Sequence, residues 1–65
     1  MDFKEKAQIR LQHWLSHNED HVRDYRRFAD ELEAAGLAAS GQAVREMADC
    51  AEKGNACLRT ALRTL

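Results

Sequence analysis

The chain has 65 residues with no proline and three glycines, and helix formers such as Ala, Leu, Arg and Glu dominate it. Ten basic and eleven acidic side chains give a formal net charge of −1, without the basic excess typical of nucleic-acid-binding proteins. No apolar stretch approaches the roughly 18 residues of a membrane span, and the N-terminal residues lack the apolar core of a signal peptide. We therefore expect one cytoplasmic helical domain over residues 1–65, with neither a nucleic acid nor a membrane as partner.

The first half of the chain carries one long helical repeat. Its members alternate in steps of four and three residues and are Ala7, Leu11, Trp14, Asn18, His21, Tyr25, Phe28 and Leu32. This spacing is typical of a coiled-coil seam, here with two polar members, Asn18 and His21, at its centre. It predicts a first helix over about residues 3–35.

A local signal opposes an unbroken first helix. The segment Ser16-His17-Asn18-Glu19 matches a capping box, in which Ser16 caps a new helix and Glu19 returns a hydrogen bond to it. A break near Ser16 would give a three-helix bundle instead of a hairpin. The repeat runs through residues 14–25 without losing phase, however, and this favours the continuous helix.

A turn and a second helix follow. Gly36 suits the left-handed position just past a helix end, with Leu37 placed for the hydrophobic contact that commonly accompanies it. The seam then restarts, and its members are Leu37, Ser40, Val44, Met47, Ala51, Gly54, Leu58, Ala61 and Leu65. We predict a second helix over about residues 38–64, antiparallel to the first in an all-α helical hairpin.

The length of this hairpin indicates self-association. A helix of about 32 residues is roughly 48 Å long, whereas a compact globule of this chain length is only about 30 Å across. Because such a hairpin cannot cover its own apolar seams, we expect a homodimer in which two hairpins form a four-helix bundle. Ile9, Leu15 and Leu62 lie beside the seams and would enlarge that interface or contact another protein.

A polar layer is expected near the middle of the hairpin. If the turn centres near residues 36 and 37, the numbers of two residues that face each other across the hairpin sum to about 73. Asn18 then lies opposite Asn55, with His21 beside them. A buried layer of this kind commonly fixes register and oligomeric state. A glycine inside a helix costs about 1 kcal/mol relative to alanine, so we expect Gly54 to leave room for Trp14 or an imidazole.

All three histidines of the chain lie at four-residue intervals, at His13, His17 and His21. Side chains at this spacing share one flank of a helix, and imidazoles so placed bind Ni(II), Zn(II) or Co(II). Residues four apart point in directions that differ by about 40° around the helix axis, so three of them rarely bind one ion. His17 and His21 are therefore the predicted ligand pair, and His13 is the third candidate. Candidate completing ligands are Cys50, Cys57 and Asp20. In the alternative interpretation, His21 is a core residue flanked by two solvated histidines, and the cysteines are small packing groups.

The chain resembles a family of small uncharacterised bacterial helical domains with the pattern His-Trp-x-x-His-Asn-x-x-His-x-x-x-Tyr, a Gly-Leu turn and an Ala-rich second helix. The matching residues are His13, Trp14, His17, Asn18, His21, Tyr25, Gly36, Leu37, Asn55, Ala61 and Leu62. The resemblance implies an association with small nickel-binding proteins of anaerobic bacteria and no known enzymatic activity. Cys50 and Cys57 lie outside the pattern, which puts their role as ligands in doubt.

Catalysis finds little support in the sequence. There is no glycine-rich phosphate loop, no serine in a recognisable nucleophile motif and no Glu-x-x-His pair of a di-iron bundle. We therefore expect a non-enzymatic helical interaction or dimerisation module with a polar His/Asn layer. The alternative is a transition-metal-binding bundle that holds Ni or Zn through His17 and His21.

Overall fold

The computed structural model describes all 65 residues and consists of two antiparallel α-helices packed as a hairpin. Helix α1 spans Phe3–Ala34 and helix α2 spans Ala38–Arg63. The predicted all-α hairpin is confirmed, and all four helix ends lie within one residue of their predicted positions. The alternative with a helix break near Ser16 is wrong, because α1 continues through that position.

Local hydrogen bonds fix where α1 begins and ends. The carboxylate of Asp2 accepts a hydrogen bond from the backbone N–H of Glu5 at 2.8 Å, which caps the first turn. Gly36 has a φ of +82°, in the left-handed region that favours glycine. The backbone N–H of Leu37 donates to the carbonyl of Leu32 at 2.9 Å, the long bond of a Schellman motif. The Gly-Leu turn therefore ends α1 as predicted.

The hairpin is long and thin. Its principal extents are 52 × 15 × 11 Å and its radius of gyration is 15.2 Å, compared with about 11 Å for a compact chain of this length. Only five of the 65 residues are buried, so the two helices cover little of each other. Neither helix combines the length and the apolar character needed to cross a membrane.

The buried side of α1 lies next to the predicted seam and only partly on it. Val22 and Ala29 are buried in the places that the prediction assigned to His21 and Phe28, both of which are exposed. Trp14 is also exposed, whereas its neighbour Leu15 is half-buried. Small side chains allow two helix axes to come closer, so the packing uses the Val22 and Ala29 side and turns the aromatic side outward.

The buried side of α2 is likewise shifted by one residue from the predicted seam. Ala48 and Asn55 are buried, and they replace the predicted seam residues Met47 and Gly54, which are exposed. Leu62, expected beside the seam, is half-buried in the hairpin. The core is therefore a narrow strip of mainly small side chains.

Gly41 lies in close contact with α1. A Cβ atom on Gly41 would lie 2.7 Å from Cγ of Glu33 and 3.1 Å from the carbonyl oxygen of Ala29. A Cβ atom on Gly54 would meet no atom within 4 Å. The prediction that Gly54 leaves room for Trp14 is therefore wrong, and the close contact that excludes a side chain occurs at Gly41.

Candidate interaction face and histidine ladder

One flank of the hairpin carries ion pairs that join the helices. Arg45 of α2 pairs with Asp30 and Glu33 of α1, and its Nε lies 2.8 Å from Oε1 of Glu33. Arg59 pairs with Glu19 across the helices, with 3.0 Å between Nη2 and Oε2. We call this side the ionic flank; its members are Glu19, Arg26, Asp30, Glu33, Arg45, Asp49, Glu52 and Arg59. These charged side chains mark it as a surface that faces water.

The ionic flank gives the chain an acid-sensitive contact. The hydrogen bond from Arg45 holds the pKa of the Glu33 carboxyl below its ordinary value. A carboxyl whose pKa is lower in the folded than in the unfolded chain stabilises the fold above the unfolded pKa. That stabilisation is lost as the pH falls through the folded pKa.

We therefore expect the thermal unfolding midpoint to decrease as the pH falls below about 4.3, the ordinary pKa of glutamate. Glu33→Gln should remove part of this decrease, because glutamine cannot be protonated in that range. Circular dichroism melting curves across the acidic range measure the effect. Glu31→Gln is the matched control, since Glu31 has no ion pair; equal curves for both variants would contradict the assignment.

The opposite flank is apolar and exposed. We call it the apolar face; its members are Trp14, Tyr25, Phe28 and Leu32 of α1 and Met47, Ala51 and Leu58 of α2. Helical geometry sets these positions on the side of each helix that lies away from Arg45 and Arg59. Trp14, Phe28 and Met47 are 48%, 52% and 46% exposed. Large apolar side chains are thus left half in water along one side of the hairpin.

The total exposed area supports the same view. The accessible surface of the chain is 4806 Å², whereas a folded monomer of 7.4 kDa is expected to expose about 4200 Å². The excess of roughly 600 Å² is comparable to the area of about 800 Å² that each partner buries in a standard protein–protein interface. The hairpin therefore exposes more surface than a compact protein of its mass.

The predicted polar layer is reduced to one buried residue in the hairpin. Asn55 is 0% exposed, and neither its Nδ2 nor its Oδ1 has a hydrogen-bond partner in the chain. Asn18 is half-buried and His21 is exposed. A buried amide without partners costs about 1–3 kcal/mol, so Asn55 weakens the hairpin as it stands.

Replacing Asn55 with leucine should raise the free energy of unfolding by about 1–3 kcal/mol, because it removes the unpaired polar atoms and keeps the same branched arrangement of heavy atoms. Urea denaturation measures the change. Asn18→Leu is the matched control at a half-buried position, and we expect a smaller effect there. A less stable Asn55→Leu protein would mean that the amide makes a hydrogen bond that the isolated hairpin does not contain.

The histidines form a ladder of rings along the exposed surface of α1. Ring centroids are 6.1 Å apart between His13 and His17, 4.5 Å between His17 and His21, and 5.9 Å between His21 and Tyr25. The Nε2 atoms of His17 and His21 lie 3.1 Å apart. The four-residue spacing thus brings the rings together as predicted, with the closest pair at His17 and His21.

The other candidate ligands do not join this ladder. No group of three or more His, Cys, Asp or Glu side chains lies close enough to hold a metal ion. Cys50 and Cys57 are free and exposed on α2, so the prediction that they pack in the core is wrong. Asp20 pairs with Arg23. A metal-binding bundle assembled within one chain is therefore not favoured.

The comparisons with known proteins identify a family and nothing closer. A family model described as Domain of unknown function (DUF8180) matches residues 7–65. No curated protein and no solved structure matches the chain. The match agrees with the resemblance to a small uncharacterised domain, while the nickel association stays a prediction.

Proposed function

We propose that the chain, which belongs to the family described as Domain of unknown function (DUF8180), is a non-catalytic helical module that pairs with a second copy of itself. The apolar face is the pairing surface, and the product is a four-helix bundle. The observation that carries this proposal is the exposure of Trp14, Phe28 and Met47 on one flank, while charged side chains occupy the other. Two such hairpins would bury the aromatic side chains and leave both ionic flanks in water.

The energetic reason for pairing is the small core of the single hairpin. Most helix stability in proteins comes from packing an amphipathic face, and the hairpin packs only a narrow strip. Its two fully buried apolar side chains are alanines, Ala29 and Ala48, which remove little apolar area from water. Pairing through the apolar face would bury large side chains, which the core of the single hairpin lacks.

A second copy suits this face because the face itself contains no charged side chain. In a two-fold dimer the same patch lies on both partners, so charges within it would meet like charges. The apolar face avoids that repulsion, since its seven members are all apolar or aromatic. A different protein with a similar apolar helix is the alternative occupant, and the mass of the purified chain separates the two.

The first turns of α1 extend the surface available for pairing. Helix α1 has 32 residues and α2 has 26, so α1 projects beyond the end of its neighbour. A depression lined by Phe3, Lys6, Ala7, Arg10, Leu11 and Trp14 runs along this projection. Phe3 is 84% exposed there. A partner helix would therefore contact α1 beyond the range that α2 can reach.

Sedimentation equilibrium of the purified chain tests the proposal. We expect a mass of about twice the 7.4 kDa of one chain, with dissociation at low concentration. The thermal midpoint should increase with protein concentration, because association stabilises the folded state by mass action. A mass of one chain over the whole concentration range would contradict self-pairing and leave a different protein as the occupant of the face.

A further inference from the structure

The paired imidazoles of His17 and His21 lie beside the apolar face, where the ring of His21 stacks on that of Tyr25 with 5.9 Å between their centroids. Both side chains are exposed, their rings meet edge to face at an interplanar angle of 89°, and their Nε2 atoms are 3.1 Å apart. In the metal-free chain one Nε2–H donates to the other Nε2, the only hydrogen bond that either side chain makes. Two nitrogen ligands are thus presented together at the surface.

The distance between these nitrogens matches that of two cis ligands on one metal ion. Zinc–imidazole bonds are about 2.0–2.1 Å long, and two such bonds that span this gap enclose an angle of about 95–102°. That angle lies between about 90° for octahedral or square-planar ions and about 109° for tetrahedral ions. Nitrogen donors of this type suit Ni²⁺, Cu²⁺ and Zn²⁺.

We propose that His17 and His21 form a two-imidazole chelate for a divalent transition-metal ion, bound through both Nε2 atoms. Water completes the coordination shell, since the chain offers no third ligand at this place. The ion takes the place of the hydrogen bond between the two Nε2 atoms, and the displaced proton moves through solvent to Nδ1 of the same ring. Both imidazoles stay neutral, so protonation of either ring competes with the ion. Both ligands lie on α1, so the site is complete within one chain.

The helix favours this chelate by holding both ligands in place before the ion arrives. Helix α1 runs unbroken through both positions, which are one turn apart. Little conformational freedom is then lost on binding. Because both rings are exposed, binding does not bury a charge in the core. His13 stacks on His17 at 6.1 Å but makes no hydrogen bond, and it therefore serves as a natural control.

Isothermal titration of the full chain with NiCl₂, CuCl₂ and CoCl₂ tests the chelate. We expect one ion per chain, with affinity in the order Cu²⁺ > Ni²⁺ > Co²⁺. His17→Ala and His21→Ala should each weaken binding by at least about tenfold, because a single imidazole remains. His13→Ala should change the affinity by less than about twofold. Circular dichroism of the three variants checks that each remains helical.

A second readout comes from stability, since an ion that binds only the folded helix raises its thermal midpoint. Nickel should raise the midpoint of wild type and of His13→Ala, but not that of His17→Ala or His21→Ala. Equal loss of binding in all three variants, one ion per two chains, or no binding at millimolar Ni²⁺ would overturn the chelate. Repeating the titration on Phe28→Glu separates the two proposals, because the chelate predicts one bound ion per chain whether that variant is a dimer or a monomer.

Discussion

Phe28→Glu should convert the proposed dimer into a monomer. Phe28 lies in the apolar face and is 52% exposed in the single hairpin, so the covering of its ring depends on the second copy. A carboxylate in a paired apolar face would lie out of water without a partner, which costs several kcal/mol. Two-fold symmetry places this cost on both chains. We expect the dissociation constant to rise at least about 100-fold, equivalent to about 2.8 kcal/mol.

Ile9→Glu is the matched control for this change. Ile9 is also on α1 and is 55% exposed, but helical geometry sets it on the outer side of the helix, so the prediction that it lies beside the seam is wrong. Sedimentation equilibrium should give one-chain mass for Phe28→Glu and two-chain mass for Ile9→Glu at the same concentration. If Phe28→Glu kept the dimer mass, or if Ile9→Glu dissociated to the same extent, the apolar face would not be the pairing surface.

Gly41→Val should destabilise the hairpin by about 1–3 kcal/mol through overpacking. Its Cβ would lie 3.1 Å from the carbonyl oxygen of Ala29, a backbone atom that moves only if the helix moves. It would also lie 2.7 Å from Cγ of Glu33, a carbon in the middle of a side chain that Arg45 holds. The two helices must therefore separate at Gly41 to accommodate the larger side chain.

Gly54→Val is the control in the same helix, since an added Cβ there meets no atom within 4 Å. Valine is a slightly better helix former than glycine, so we expect a change of at most about 0.5 kcal/mol, in the stabilising direction. Urea denaturation of both variants gives the comparison. Similar losses of stability at Gly41 and Gly54 would show that the close contact at Gly41 does not determine the effect.

The sequence predicted the helices and their turn, but not which side of each helix is buried. Helix α1 carries two parallel stripes with a seven-residue spacing, Trp14-His21-Phe28 and Leu15-Val22-Ala29. Periodicity places the apolar arc across both stripes and cannot tell which one faces α2. Side-chain size decides it, because Val22 and Ala29 let the helix axes approach and the aromatic residues do not. The apolar arc is wider than the contact with α2 covers, since Trp14 and Phe28 remain exposed.

The candidate site was predicted only where it depends on one helix. The spacing of His17 and His21 places their rings together whatever α2 does. The positions of side chains on α2 depend on how that helix is rotated about its axis. Because α2 buries Asn55 where the predicted seam has Gly54, Cys50 and Cys57 face outward. The ion pairs of Arg45 and Arg59 were missed for the same reason, although opposite charges at facing positions of the two helices could have indicated them.

Isotope-filtered NMR on a mixture of labelled and unlabelled chains tests the central claim most directly, because it detects only contacts between different copies. We expect intermolecular contacts from the rings of Trp14 and Phe28 and from the methyl group of Met47. Residues of the ionic flank, such as Arg45 and Arg59, should show none. Intermolecular contacts on the ionic flank, or a two-chain species without contacts from Trp14 and Phe28, would contradict it.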